Sequence, residues 1–216
     1  RKISLNTVVL PAFTADAQPD PVFFLAGGPG QGAASMARRI DDLFQETRRK
    51  RDVVLVDQRG TGKSNLFHCK FREDEEAMKE GPPVTQAEVE KCLDEFDGDP
   101  RFYTTTIAMD DLDRVREWLG YEHISPIGGS YGTRAALVYL RRHPEHVRTV
   151  VLDGVAPTNM TLPLYFPRDS QRSLDQLLTS CSDNAECNER FPNLKDRLQT
   201  LLADLERSPL DVTVKH

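Results

Sequence analysis

The stretch "HISPIGGSYGTRAALVYLRRHP", residues 123–144, carries the residues best suited to chemistry. An apolar run enters Gly128-Gly129-Ser130-Tyr131-Gly132, and a helical pattern follows. This is a G-x-S-x-G elbow between a strand and a helix, the setting that presents a nucleophilic serine. The turn is tight enough to force the serine into a strained backbone conformation. Side chains two residues before or after it would collide, which calls for glycine at Gly128 and Gly132. Ser130 then stands at a helix N-terminus, whose free N–H groups favour developing negative charge. The chemistry implied is acyl transfer with Ser130 as nucleophile. A glycine-rich turn with an idle serine is the plainer alternative. Pro126 lies in the incoming strand, where it cannot donate to a ladder, so a bulge is expected beside it.

Acyl transfer needs backbone N–H donors aimed at the developing oxyanion. One comes from the residue after the nucleophile, here Tyr131. The other comes from a loop after an earlier strand. "PVFFLAGGPGQG", residues 21–32, supplies such a loop in Gly27-Gly28-Pro29-Gly30. Pro29 has no N–H, so Gly28 is the expected donor.

"VVLVDQRGTGKSN", residues 53–65, ends in Gly-Lys-Ser as a phosphate loop does. A phosphate loop also needs a glycine five positions before the second glycine. Counting back from Gly62, that position is Asp57, whose carboxylate would repel phosphate. Asp57 is better suited to accepting turn amides, and Arg59 to holding carbonyls or a carboxylate in a fixed fork. Both are expected to buttress the oxyanion loop. Lys63 is given no such part.

These groups need a scaffold. Apolar runs at 3–10, 21–26, 52–57, 123–128 and 148–153 read as strands. Three of them lack polar alternation, as strands buried on both faces do. Helical patterns at 34–50, 108–120 and 131–143 lie between them, with Leu112, Val115, Trp118 and Leu119 on one face of the second. Strands alternating with helices imply an α/β fold with a mostly parallel sheet flanked by helices. Residues 65–105 break the alternation with an acidic excursion and one short helix near 85–96. A second boundary falls near 157, dividing a core at 1–157 from a region at 158–216. There 158–170 is loop-like, and helices follow at 170–181 and 191–207.

The composition, 38% hydrophobic and 29% charged, is that of a globular protein. No run of about 18 apolar residues offers a membrane span. A net charge of −6 without a basic face argues against nucleic acid, and "RRKR" at 48–51 suits a helix end. Cys69 and Cys92 bracket the acidic segment, and Cys181 and Cys187 flank "CSDNAEC". Two local disulfides would fit this arrangement and imply an oxidising compartment, periplasmic or secreted; four thiols in a cytoplasmic protein are the alternative. No cysteine has a metal-like spacing, and no cofactor motif stands.

With "GGPG" at 27–30, "DQRGTGKS" at 57–64, "GGSYGT" at 128–133 and "VVLDGVAP" at 150–157, the chain resembles serine peptidases of the prolyl iminopeptidase and tripeptidyl aminopeptidase family. "CSDNAECNERFP" resembles the start of the helical lid in the tripeptidyl branch, and Ala26 departs from the histidine usual in the iminopeptidase branch. The resemblance implies an α/β-hydrolase fold, no cofactor, and an oligopeptide substrate with a free N-terminus. It also implies release of N-terminal residues or short peptides through an acyl-enzyme.

The triad order of that fold is serine, acid, histidine. His123 lies at the far end of its strand from the elbow. His143 and His146 lie past the helix that Ser130 starts, roughly 18 Å away at 1.5 Å per residue. His68 precedes the serine, and His216 is the last residue. Asp153 ends the strand after the nucleophile helix, but capping the turn amides of "DGVAP" is its simpler role. The acid and base are therefore expected beyond residue 216, with this chain an incomplete core and the start of a lid, inactive alone. Glu186 and Glu189 could meet a substrate amine, although solvated surface is their simpler reading. An esterase or lipase on the same fold, or a peptide-binding domain without catalysis, stays open.

Overall fold

The computed structural model describes residues 2–69, 84–161, 163–210 and 212. His216 and residues 70–83 of the acidic excursion lie outside them. The chain divides into two compact units, 1–159 and 160–216.

The first unit is built on a five-stranded sheet of β1 (Thr7–Leu10), β2 (Val22–Leu25), β3 (Val53–Val56), β4 (Ser125–Gly129) and β5 (Val151–Asp153). Their order is β1-β3-β2-β4-β5, with β1 antiparallel to β3 and every other pair parallel. Because strand side chains alternate between faces, the unbroken apolar runs feed two cores. Phe23, Leu25, Val54 and Val56 face one side, against α4 (Thr105–Trp118) and α5 (Tyr131–Arg142). There Met109, Leu112, Ala135, Ala136 and Tyr139 close the core. Val22, Val53 and Leu55 face the other side with Ala33 and Ile40, the latter from α1 (Ala37–Leu43). Trp118 departs from its expected face and stands 79% exposed, whereas Leu119 beside it packs against the core.

The expected helix over 34–50 is broken into a 3₁₀ turn at Ala33–Met36, then α1 and α2 (Gln45–Arg48). Phe44 leaves the helical region between them and sets its ring edge-on to Phe24, with centroids 6.2 Å apart. The excursion carries α3 (Gln86–Glu95), begun by a capping box between Thr85 and Glu88.

Pro126 has the bulge it calls for. From the bridge Ile124–Val147 to the pair Ile127–Val151, two residues of the β4 side face three opposite. The extra residue opens the ladder where proline has nothing to donate.

The second unit holds α6 (Phe166–Asp183), α7 (Ala185–Arg190) and α8 (Leu194–Arg207). α6 begins earlier than the expected 170 because Pro167 sits in its first turn, where the missing N–H has no helical acceptor to lose. "CSDNAEC" is the end of α6 and the start of α7 rather than a loop. Asn184 caps α7 by accepting the Cys187 N–H at 2.9 Å. The four cysteines form two local disulfides, Cys69–Cys92 and Cys181–Cys187. Of the apolar face of α8, Leu194, Leu198 and Leu205 are half-buried, while Leu201 and Leu202 are exposed. Among the described residues, no helix is long and apolar enough to cross a membrane.

Candidate active site

Ser130 stands between the last residue of β4 and the first of α5, with φ 53° and ψ −120°. A non-glycine residue with positive φ is strained, and here the strain comes with an exposed side chain at the sheet's carboxyl end. A Cβ on Gly128 would penetrate the Gly132 carbonyl, as the elbow requires. A Cβ on Gly132 would penetrate the Leu25 carbonyl, a contact across to β2 rather than within the turn. Gly132 therefore lets α5 lie directly on the neighbouring strand.

Thr133 locks the elbow. Its N–H and its hydroxyl both donate to the Ser130 carbonyl, at 3.0 and 2.6 Å. The Ser130 N–H donates to the Asp153 carbonyl at 2.8 Å, so Asp153 meets Ser130 through its main chain. The turn amide at Ala156 donates to Thr133 Oγ1 at 2.8 Å, not to the Asp153 carboxylate as the sequence suggested. Asp153 is exposed on the edge strand β5.

The loop after β2 comes up against the serine. A Cβ on Gly27 would lie 3.2 Å from Ser130 Cβ and 3.1 Å from the Gly129 carbonyl oxygen. Gly28 and Gly30 have φ of 105° and 109°, which L side chains rarely adopt, and Pro29 lies between them. Tyr131, as the first residue of α5, has an N–H with no acceptor inside its helix.

Asp57 is 1% exposed and joins three segments. Its carboxylate accepts from Ala34 N at 2.8 Å, Lys63 N at 3.0 Å and Asn6 Nδ2 at 2.8 Å. The first of these bonds secures the exit of the Gly27–Gly30 loop. Lys63 contributes its main chain, and its side chain is exposed. Arg59 does form a fork, but not onto the Gly27–Gly30 loop it was expected to buttress. Nε and Nη2 each donate to Asp111 at 2.7 Å, and Nη1 donates to the Phe102 carbonyl at 2.8 Å. It ties the β3 loop to α4, a partner 52 residues away that no local pattern announces.

Beside Ser130 a cleft of roughly 290 Å³ opens between these loops and the start of α4. Its walls include Gly27, Gln31, Gln58, Phe67, Tyr103 and Tyr131. The Tyr131 hydroxyl pairs with Thr105 Oγ1 at 2.6 Å. Sequence reasoning passed over Phe67, Tyr103 and Thr105; aromatic residues recurring in a charge-rich segment were the available signal.

Among the described residues, no histidine is hydrogen-bonded to Ser130. His143 and His146 sit past the carboxyl end of α5 and engage Asp110 and Asp113, at 3.1 and 2.8 Å. Asp113, His143 and His146 bring ligand-type atoms within 4.8 Å of one another. Arg116 Nε and the Tyr139 hydroxyl already donate to the same Asp113 oxygen, at 2.7 and 2.8 Å. Burial pushes the Asp113 carboxyl up, but Arg116, Tyr139 and His146 outweigh it and hold it at about 2. Burial and the Asp113 carboxylate raise the Tyr139 hydroxyl well above the usual tyrosine range. His68 and His123 are exposed. Glu186 and Glu189 are exposed on α7.

Residues 20–201 match the family model for the alpha/beta hydrolase fold. The chain is 32% identical over 137 residues to the proline iminopeptidase of Neisseria gonorrhoeae, covering 62% of this chain and 32% of that protein. It is 26% identical over 180 residues to the serine protease Hip1 of Mycobacterium tuberculosis, covering 74% of this chain and 35% of that protein. A crystal structure of the proline iminopeptidase of Mycobacterium smegmatis aligns with a TM-score of 0.47 at 23% identity, covering 68% of this chain and 39% of that one. The chain thus spans about a third of the length of these curated relatives. With its sheet order, its strained serine at the β4–α5 turn and a family match across most of its length, the chain belongs to the alpha/beta hydrolase fold family.

Proposed function

We propose that the protein is a serine hydrolase that removes N-terminal residues or short peptides from oligopeptides through an acyl-enzyme on Ser130. The observation that carries this is the positive φ of Ser130 at an elbow packed against Gly27. Strain of that kind persists where the surrounding structure enforces it and the side chain is used. Similarity to a proline iminopeptidase and a serine protease favours peptide bonds as the target.

In this reading Ser130 Oγ attacks the scissile carbonyl and loses its proton to a base. The N–H groups of Gly28 and Tyr131 receive the oxyanion. The leaving amine takes a proton as the C–N bond breaks, and water then hydrolyses the acyl ester. The base and its acid partner are assigned to chain outside these 216 residues. That assignment is supported by His143 and His146 being bound to Asp110 and Asp113 at the far end of α5. The two disulfides support a periplasmic or secreted location.

The test is fluorophosphonate labelling and hydrolysis of aminoacyl and tripeptidyl anilides by the complete protein. Labelling lost in Ser130→Ala, with anilide turnover, is expected. Cleavage of short acyl esters with anilides ignored would make it an esterase, and no labelling would make it a binding domain. The 216-residue chain alone should turn over negligibly; robust turnover by it would place the base within these residues.

A further inference from the structure

We infer that Phe67 and Tyr103 form a subsite for an uncharged, preferably aromatic, side chain adjoining the scissile bond. The inference rests on the peptidase reading of Ser130 and adds a substrate class to it. Both rings line the cleft next to the nucleophile, on the side of Gly27 and Tyr131. Phe96 backs them, 4.3 Å from Phe67 and 5.1 Å from Tyr103 between ring centroids. Separations of this order suit edge and offset packing, so a further ring in the cleft would extend an existing cluster.

The wall is held rigid. Asn65 donates to the Tyr103 hydroxyl at 2.5 Å, and the Arg59 guanidinium lies 5.9 Å from the Tyr103 ring centroid. The Cys69–Cys92 disulfide anchors the chain two residues beyond Phe67 to α3. Two glycines make room for it. A Cβ on Gly60 would lie 2.9 Å from Tyr103 Cδ1, and one on Gly98 would lie 2.8 Å from Phe96 Cε1. A wall positioned before binding loses little freedom when occupied.

The electrostatics point to a neutral occupant. Among the described residues lining the cleft, Arg59 is the one with a charge, and the Asp111 carboxylate neutralises it on two bonds. A carboxylate or ammonium entering the cleft would lose water and gain no free counter-charge.

The test compares kcat/KM of the complete enzyme for peptide anilides and dipeptidyl amides with Phe, Ala, Glu or Lys on either side of the scissile bond. On one side, Phe should exceed both Glu and Lys by about tenfold or more. Phe67→Ala and Tyr103→Ala should each cut that Phe substrate about tenfold and leave the Ala substrate nearly unchanged. Phe67→Lys should instead raise the Glu substrate and lower the Lys substrate, a reversal that misfolding cannot produce. Equal losses on Phe and Ala substrates together with no reversal by Phe67→Lys would overturn the subsite while leaving the peptidase reading intact. Absence of any amide cleavage, or of labelling at Ser130, would overturn that reading and the subsite with it.

Discussion

Arg59 and Asp111 form a two-pronged ion pair, with Nε and Nη2 each donating to one carboxylate oxygen at 2.7 Å. Both side chains are largely buried, at 14% and 11% exposed. Removing one partner leaves the other charged and dry, which costs more than the pair itself contributes. Arg59→Ala should lower unfolding free energy by about 3 kcal/mol. Asp111→Ala should do the same, and the double variant should lose clearly less than the sum. Arg59→Lys should not restore stability, because a single ammonium cannot span both oxygens and the Phe102 carbonyl. Urea unfolding of the four variants checks this; additive losses would show that the two side chains do not act as a pair.

Asp57 and Lys63 should separate sharply. Asp57→Ala strands the donors of Ala34, Lys63 and Asn6 at a buried point and should cost about 3 kcal/mol or more. Lys63→Ala removes only a solvated side chain and should stay within about 0.5 kcal/mol. Urea midpoints at constant slope measure both. In the complete enzyme, turnover should fall with Asp57→Ala and hold with Lys63→Ala. Comparable large losses would restore a lysine-centred role for this loop.

Relief of the elbow strain is measurable. Glycine adopts φ 53° and ψ −120° without the steric cost that serine bears, whereas alanine bears it too. Ser130→Gly should therefore be about 1 kcal/mol more stable than Ser130→Ala, with both inactive. Gly132→Ala should go the other way by about 3 kcal/mol, since the clash is with a backbone carbonyl that cannot swing aside. Equal stability of the two Ser130 variants would deny the strain.

Asp113 sets a pH dependence at the other end of α5 from Ser130. Burial raises its carboxyl, but the hydrogen bonds of Arg116, Tyr139 and His146 prevail and hold it at about 2, below the ordinary 3.8. A depressed native value means the unfolded chain binds the proton first. The stabilisation is thus complete above about pH 4 and drains away as pH falls toward 2. Unfolding free energies of the parent and Asp113→Asn should differ most above pH 4 and converge near pH 2. A constant difference across that window would contradict the assignment.

Much of this chain is legible from short stretches. Gly128 in the elbow, the loop before Pro29, the unalternating strands and the bulge beside Pro126 each follow from constraints between neighbours in sequence. Boundaries were less legible where one residue type serves two structures. Pro167 reads as a loop breaker yet opens α6, and the polar run between Cys181 and Cys187 hides the cap of α7. Trp118 has the i+3 spacing from Val115 that suits a core face, yet it stands exposed while Leu119 beside it packs on the core.

The amino-acid sequence by itself determined that Ser130 would be strained and presented, because a turn's sterics involve only residues within a few positions. Only the tertiary structure decided what surrounds it. Gly132 is required by the Leu25 carbonyl on β2 rather than by its own turn, Arg59 grips Asp111 rather than the Gly27–Gly30 loop, and Asp57 gathers Asn6, Ala34 and Lys63. The sheet order places β2 between β3 and β4, so the loops that follow these strands converge at one edge. Contacts between segments so distant along the chain depend on that order, and no periodicity in the sequence encodes them.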